Sequence, residues 1–186
     1  MDANWFIATP IAPGRWFERA ASPPAGIRRF HPDDLHATVA FLGAVTEGSA
    51  RAAFEALAIK LEPIDVTLGS VVAMGNPKRY SALSALIDEG RDALEWAMGE
   101  CRDRAFSAAG AKPESRPPKA HVTVARPSRD ASDRVRRAGL EWASKLTLSG
   151  ERLRIDRVSL YTWSEERGDP SRPLFQETAT VKLVSL

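Results

Sequence analysis

The sequence predicts an α+β protein built on antiparallel sheets. Short strand-like segments are mixed with helical ones, without the regular β-α alternation of a parallel-sheet fold. Two of the strand-like segments open with the same phrase, H-x-T-V-A, at residues 36–40 and 121–125, 85 positions apart. The 186 residues suffice for one domain with a real core, or for two small lobes sharing one, and no low-complexity run divides them.

Taken in order, residues 5–9 form a short β-prone run, broken by Pro10 and the Pro13-Gly14 pair. Residues 15–21 make a short helix, ended by Ser22-Pro23-Pro24. The first histidine phrase, HATVAFLG over 36–43, follows as a strand. Thr46 and Glu47 start a helix in which Ala50, Ala53, Phe54, Leu57 and Leu61 keep helical spacing as far as Pro63. Ile64, Val66 and Leu68 alternate like a strand, Val72 and Met74 alternate beyond Gly69, and Asn76-Pro77 turns the chain into a second strand over 80–87. Leu94, Met98, Cys101, Ala105 and Ala108 share one helical face, which Gly110 stops. A polar, proline-bearing connector over 112–119 leads into the second phrase, HVTVARP over 121–127. Asp130 or Ser132 caps a helix carrying Val135, Ala138, Trp142 and Leu146. The tail reads as strands over 153–161 and 175–183, joined by a charged loop with Gly168 and Pro170.

With 44% hydrophobic and 27% charged residues, the composition is that of an ordinary soluble globular protein. No apolar run approaches the ~20 residues that span a bilayer. The start, MDANWFIATP, lacks the basic region and long apolar core of a signal peptide. A single cysteine excludes an internal disulfide and zinc sites built on cysteine pairs. The expected location is the cytoplasm, with no membrane partner. The net charge of +2 hides a basic segment: residues 112–137 hold eight basic and three acidic side chains, or +5, leaving −3 for the rest. That segment either draws in an anionic substrate or is a solvated loop and helix face.

Successive side chains of a strand point to opposite faces, so His36 and Thr38 share one face, and so do His121 and Thr123. Packing constrains the alternation of a strand but not the choice of polar pair, and polar groups on a buried face need partners. A repeated imidazole-hydroxyl pair therefore reads as a site. If the two strands meet about a pseudo-two-fold axis, four polar groups converge. That constellation suits phosphodiester cleavage, in which one imidazole takes a proton from the incoming oxygen and the other gives one to the departing oxygen. The two threonines donate to phosphate oxygens, and Arg126, five residues after His121, adds charge-assisted bonds as negative charge builds up. The scheme requires no metal and no cofactor.

At these residues the chain resembles the two-histidine phosphoesterase superfamily, marked by two H-x-[TS]-apolar motifs. Within it, HATVAFLG and HVTVAR look most like the bacterial and archaeal RNA 2′,3′-cyclic phosphodiesterases, also called 2′-5′ RNA ligases. The opening strand, the helix after FLG and the closing strand pair extend the resemblance over most of the chain. It implies a single two-lobed domain over residues 1–186, with two antiparallel sheets in pseudo-two-fold symmetry around a central cleft and helices on the outer faces. It also implies metal- and ATP-independent opening of a 2′,3′-cyclic phosphate to a 2′-phosphate. His36 and His121 would be the acid-base pair, Thr38 and Thr123 the phosphate holders and Arg126 an assistant. The expected partner is an RNA bearing a 2′,3′-cyclic phosphate end, or a cyclic nucleotide, on a monomeric protein.

Other residues carry weaker readings. His31, Asp33, Asp34 and His36 could be drawn as a metal site, but Pro32 marks the loop entering the strand and no metal is expected. Cys101 sits on an apolar helix face and reads as core. Phe41 and Trp163 are candidates to stack on a base. Arg129, Arg134, Arg136 and Arg137 are candidates to contact the backbone of a longer RNA. The rival functions are a 2′-5′ ligase using the same groups, a phosphodiesterase on another cyclic nucleotide, a non-catalytic RNA-binding module and a metal-dependent hydrolase.

Overall fold

The opening run, Asn4–Pro10 (β1), lies inside a sheet with a strand on either side, and both its faces are covered: Trp5 and Ile7 enter the main core, while Phe6 and Ala8 pack with Tyr161. The structure, a computed structural model, describes residues 3–57, 62–166, 169 and 171–184. After β1 come a short helix, Gly14–Glu18 (α1), a strand, Ile27–Arg29 (β2), a 3-10 turn at Pro32–Asp34, and the first histidine strand, His36–Ala44 (β3). Helix Glu47–Glu55 (α2), the hairpin of Ile64–Asn76 (β4) and Arg79–Ile87 (β5), and helix Arg91–Ala109 (α3) precede the second histidine strand, His121–Pro127 (β6). Helix Asp133–Ala143 (α4) and strands Arg152–Ile155 (β7), Arg157–Trp163 (β8) and Phe175–Lys182 (β9) follow.

The fold is α+β, as the sequence predicts, with two antiparallel sheets of order β3-β1-β8-β9 and β2-β6-β5-β4-β7. Laying β3 on β6 and β1 on β5 brings the halves into correspondence, and the match extends to register. Ala8 pairs with Thr38 and Ile7 with Ala40, leaving Val39 as an extra residue; Ser84 pairs with Thr123 and Leu83 with Ala125, leaving Val124. Each motif strand thus carries a β-bulge immediately after its threonine. The repeated phrase encodes this kink as well as the polar pair.

One core cluster joins the sheets. It includes Ile7 and Leu160 from the first sheet, Leu68, Ile87 and Val122 from the second, and Leu94, Met98, Cys101 and Ala105 of α3. Although α3 lies between β5 and β6 in sequence, it packs against β3 and α2 of the other half. A second cluster under α4 holds Ile27, Tyr80, Leu83 and Trp142. Local signals set the helix ends. Thr46 Oγ1 accepts from the Ser49 amide at 3.1 Å, Ser132 and not Asp130 caps α4, and Gly110 ends α3 at φ +64°, where a side chain would be strained.

Several boundaries differ from expectation. The tail segment over 153–161 is two strands, not one: β7 edges the second sheet, while β8 lies inside the first. The cause is visible in the sequence, because the buried residues Ile155, Val158 and Leu160 slip phase at Asp156-Arg157. Strand β2 is too short to show a period. Helix α1 stops at Glu18, and α4 stops at Ala143 with Leu146 packing beyond it. On α3, Ala109 and not Ala108 completes the buried face. Leu61, Gly168 and Pro170 lie outside the described residues.

Candidate active site

The two imidazoles are held in the same way. Nδ1 of His36 lies 2.6 Å from the Asp34 carbonyl, and Nδ1 of His121 lies 2.7 Å from the Lys119 carbonyl. A carbonyl only accepts, so each Nδ1 carries the proton and each neutral ring keeps its lone pair on Nε2. Strands β3 and β6 approach each other directly. The charges of Arg126 and His121 both bear on His36, which puts the three groups in one field.

Their surroundings differ. His36 is walled by Phe6 (4.9 Å between ring centres), Phe175 (5.5 Å) and Tyr161 (6.0 Å). Burial pushes its pKa down to about 4; the Asp34 carbonyl pulls the other way, and Arg126 and His121 add to the fall. His121 is also pushed down, first by burial and then by Lys119, Arg126 and Arg102, against the pull of the Lys119 carbonyl.

Asp34 anchors the His36 wall. Its carboxylate, 1% exposed, accepts from the amides of Leu174 (2.9 Å) and Phe175 (3.0 Å) and so pins the start of β9 beside His36. Burial raises the Asp34 pKa, and these two amides pull it back. His31 caps the 3-10 turn, accepting at Nδ1 from the Asp33 amide at 3.2 Å. Of the groups that could be drawn as a metal site, His31 and Asp34 thus accept from backbone amides, and His36 donates to the Asp34 carbonyl. No cluster of three or more histidine, cysteine or acidic side chains among the described residues is placed to hold a metal.

The threonines are not equivalent. Thr123 is buried, with its hydroxyl 3.2 Å from that of Ser84. Thr38 is half-buried and lines a pocket of about 550 Å³ together with Phe41, Arg102 and His121. The cross-strand partner of Thr38 is Ala8, where the other half has Ser84. Arg126 lies with its guanidinium carbon 5.2 Å from the centre of the Phe30 ring.

Of the two stacking candidates, Phe41 is 58% exposed and lies in the pocket with Thr38 and His121. Trp163 packs on Phe175 at 4.9 Å, one ring removed from His36, and opens on a separate pocket beside Trp5 and Glu177. Arg136 is no backbone contact. It is 8% exposed, donates from Nη1 to the Tyr80 carbonyl, and its own carbonyl accepts from the Tyr80 hydroxyl at 2.8 Å. Arg129, Arg134 and Arg137 are exposed. Cys101 is buried in the core, its thiol pushed up by burial. Sequence reasoning missed Phe6, Tyr161 and Phe175, which only the sheet order gathers around His36. It also missed Ser84 and Arg102, whose signal was a polar residue inside an otherwise apolar pattern.

The fold and the paired motifs are similar to those of known phosphoesterases. Residues 14–83, which contain the first motif, match the family model described as LigT-like phosphoesterase. Solved structures of the same fold include E. coli LigT complexed with 3′-AMP (19% identity, TM-score 0.71, 100% of each chain). Another is TT0787 of Thermus thermophilus (18% identity, TM-score 0.71, 97% of each chain). No significant match is found among curated protein sequences. The chain is thus similar to the LigT-like phosphoesterases over residues 14–83, and over its whole length it shares the fold of E. coli LigT.

Proposed function

We propose that the protein hydrolyses 2′,3′-cyclic phosphates, at RNA ends or in nucleotides, to 2′-phosphates, without metal or ATP. The observation that carries this reading is the pair of imidazoles held identically through Nδ1 on bulged, symmetry-related strands. Two bare Nε2 atoms suit in-line displacement, in which one group accepts a proton and the other donates one. The complex of E. coli LigT with 3′-AMP supports a nucleotide ligand for this cleft.

His36, the more shielded ring with a pKa near 4, stays neutral and is the proton acceptor. It takes a proton from water as the water oxygen bonds to phosphorus. His121, which faces open pockets, takes up a proton as the anionic phosphate binds beside it and gives that proton to O3′ as the P–O3′ bond breaks. The product keeps its phosphate on O2′. Thr38 and Thr123 hold non-bridging oxygens, and Arg126 offsets the growing charge. Ligation through a 2′-5′ bond uses the same groups in the same roles, with an RNA 5′-hydroxyl in place of water as the attacking oxygen.

The test is turnover of a 2′,3′-cyclic mononucleotide and of a short RNA with a cyclic phosphate end, both in the presence of chelator. A p-nitrophenyl phosphodiester, whose leaving group needs no protonation, separates the two roles. His121→Ala should keep much of its activity on that substrate, while His36→Ala should not. The reverse pattern would exchange the assignments, and loss of activity in chelator would remove the metal-free scheme.

A further inference from the structure

The bulges after Thr38 and Thr123 each take a residue out of the ladder, and a carbonyl freed in this way needs another donor. The two halves solve this differently. In the second, the Val124 carbonyl accepts from the Phe30 amide at 3.0 Å, next to β2, the extra strand that flanks β6. Among the described residues, the first sheet has no strand outside β3. There the Val39 carbonyl accepts from Nε of Arg102 at 2.8 Å, a side chain reaching in from α3. The same guanidinium donates from Nη1 to the Arg116 carbonyl at 3.2 Å, in the irregular connector five residues before His121. One half-buried arginine is thereby bonded to the chain next to Thr38 and to the chain leading into His121.

We propose that Arg102 is a positioning residue that sets the two motif strands against each other, taking the place beside β3 that β2 fills beside β6. The inference rests on the reaction proposed above for this site. Arginine suits the task because its planar fork holds two carbonyls at fixed angles, whereas a lysine ammonium is a point donor on a flexible stem. Arg102 also lines both pockets that flank the connector, so its charge faces His121. The other charged groups around that ring are Lys119 and Arg126 on its own strand and approach, His36 on β3, and Lys112 and the Glu114–Arg116 ion pair of the connector. Glu95 of α3 is occupied by the Ala120 amide at 2.8 Å, and Arg91 pairs with Asp92. Arg102 is among the cations that disfavour protonated His121.

The experiment compares wild type, Arg102→Ala and Arg102→Lys by steady-state turnover of a 2′,3′-cyclic mononucleotide, and by NMR titration of the His121 ring. Misplacing reacting groups by about 1 Å costs ~10²-fold, so kcat should fall by about that much in both variants with KM nearly unchanged. The His121 midpoint should rise in Arg102→Ala, which loses a neighbouring cation, and stay near wild type in Arg102→Lys. Full activity in Arg102→Lys would overturn the positioning role, since charge alone would then suffice. A raised KM with normal kcat would overturn it too, assigning Arg102 to substrate binding. If wild type turns over no cyclic phosphate, the reaction proposed above fails. The titration still reads Arg102, and an unmoved His121 midpoint in Arg102→Ala would then sink this proposal as well. Should Arg102→Ala not fold, Arg102→Lys carries the kinetic test alone.

Discussion

The carbonyl of Asp34 accepts the Nδ1 proton of His36 at 2.6 Å and thereby fixes which nitrogen of that ring is left bare. The Lys119 carbonyl does the same for His121 at 2.7 Å. Because each acceptor is backbone, two residues upstream of its ring, the tautomer is built into the entry of each motif strand and not into a replaceable side chain.

Removing either ring should therefore abolish proton transfer without opening the fold. His36→Ala and His121→Ala are each expected to lose ~10²–10⁴ in kcat/KM on a 2′,3′-cyclic substrate, with melting temperatures close to wild type. A variant that keeps wild-type turnover would take that histidine out of the mechanism.

Acid should destabilise the protein through the same rings. The His36 pKa falls from 6.5 to about 4 on folding, so between these values the unfolded chain binds a proton that the native state does not. Stability is then full above pH ~6.5 and drops as pH falls toward 4, by up to ~3 kcal/mol from this residue. Denaturant unfolding at stepped pH should show the loss, and replacing His36 with a non-titrating residue should flatten it. Inorganic phosphate, by favouring protonated rings, should raise the His36 midpoint in an NMR titration.

Asp34→Ala should free the start of β9. The Leu174 and Phe175 amides would lose their acceptor, so a loss of about 2–4 kcal/mol is expected by thermal or denaturant unfolding. With Phe175 loosened from the His36 ring, the His36 midpoint should move up toward 6.5. An unchanged midpoint would show that Phe6 and Tyr161 shield the ring unaided.

Arg136→Ala should act on stability and not on nucleic-acid affinity. It strips the Tyr80 carbonyl of a buried donor, and a loss of about 2–4 kcal/mol is expected. Any salt-dependent RNA binding should keep its slope in this variant and lose slope when the exposed Arg129, Arg134 or Arg137 is neutralised.

Gly139→Ala should destabilise α4 even though alanine is the better helix former by ~1 kcal/mol. The added methyl would sit 2.5 Å from the Tyr80 hydroxyl and 2.8 Å from Ile27. A higher melting temperature would mean that the Tyr80 side chain moves aside at little cost.

The sequence by itself determined the class of fold, the two strands that matter and the polar pair on each. Strand period and a repeated phrase are local patterns, and a local pattern is all that a helix cap or a motif such as His36-Ala37-Thr38 requires. Thr46, Ser132 and Gly110 were legible as helix boundaries for the same reason. What the sequence did not determine depends on pairings between distant segments. The change of sheet at Asp156 places Tyr161 beside His36, and the Asp34 carboxylate, 140 residues before Leu174, brings Phe175 there. The neighbour of a bulge likewise depends on which strand lies alongside. The Val124 carbonyl finds a backbone amide, whereas the Val39 carbonyl requires Arg102. Strand alternation determines the face a side chain takes, but tertiary packing determines what meets it there.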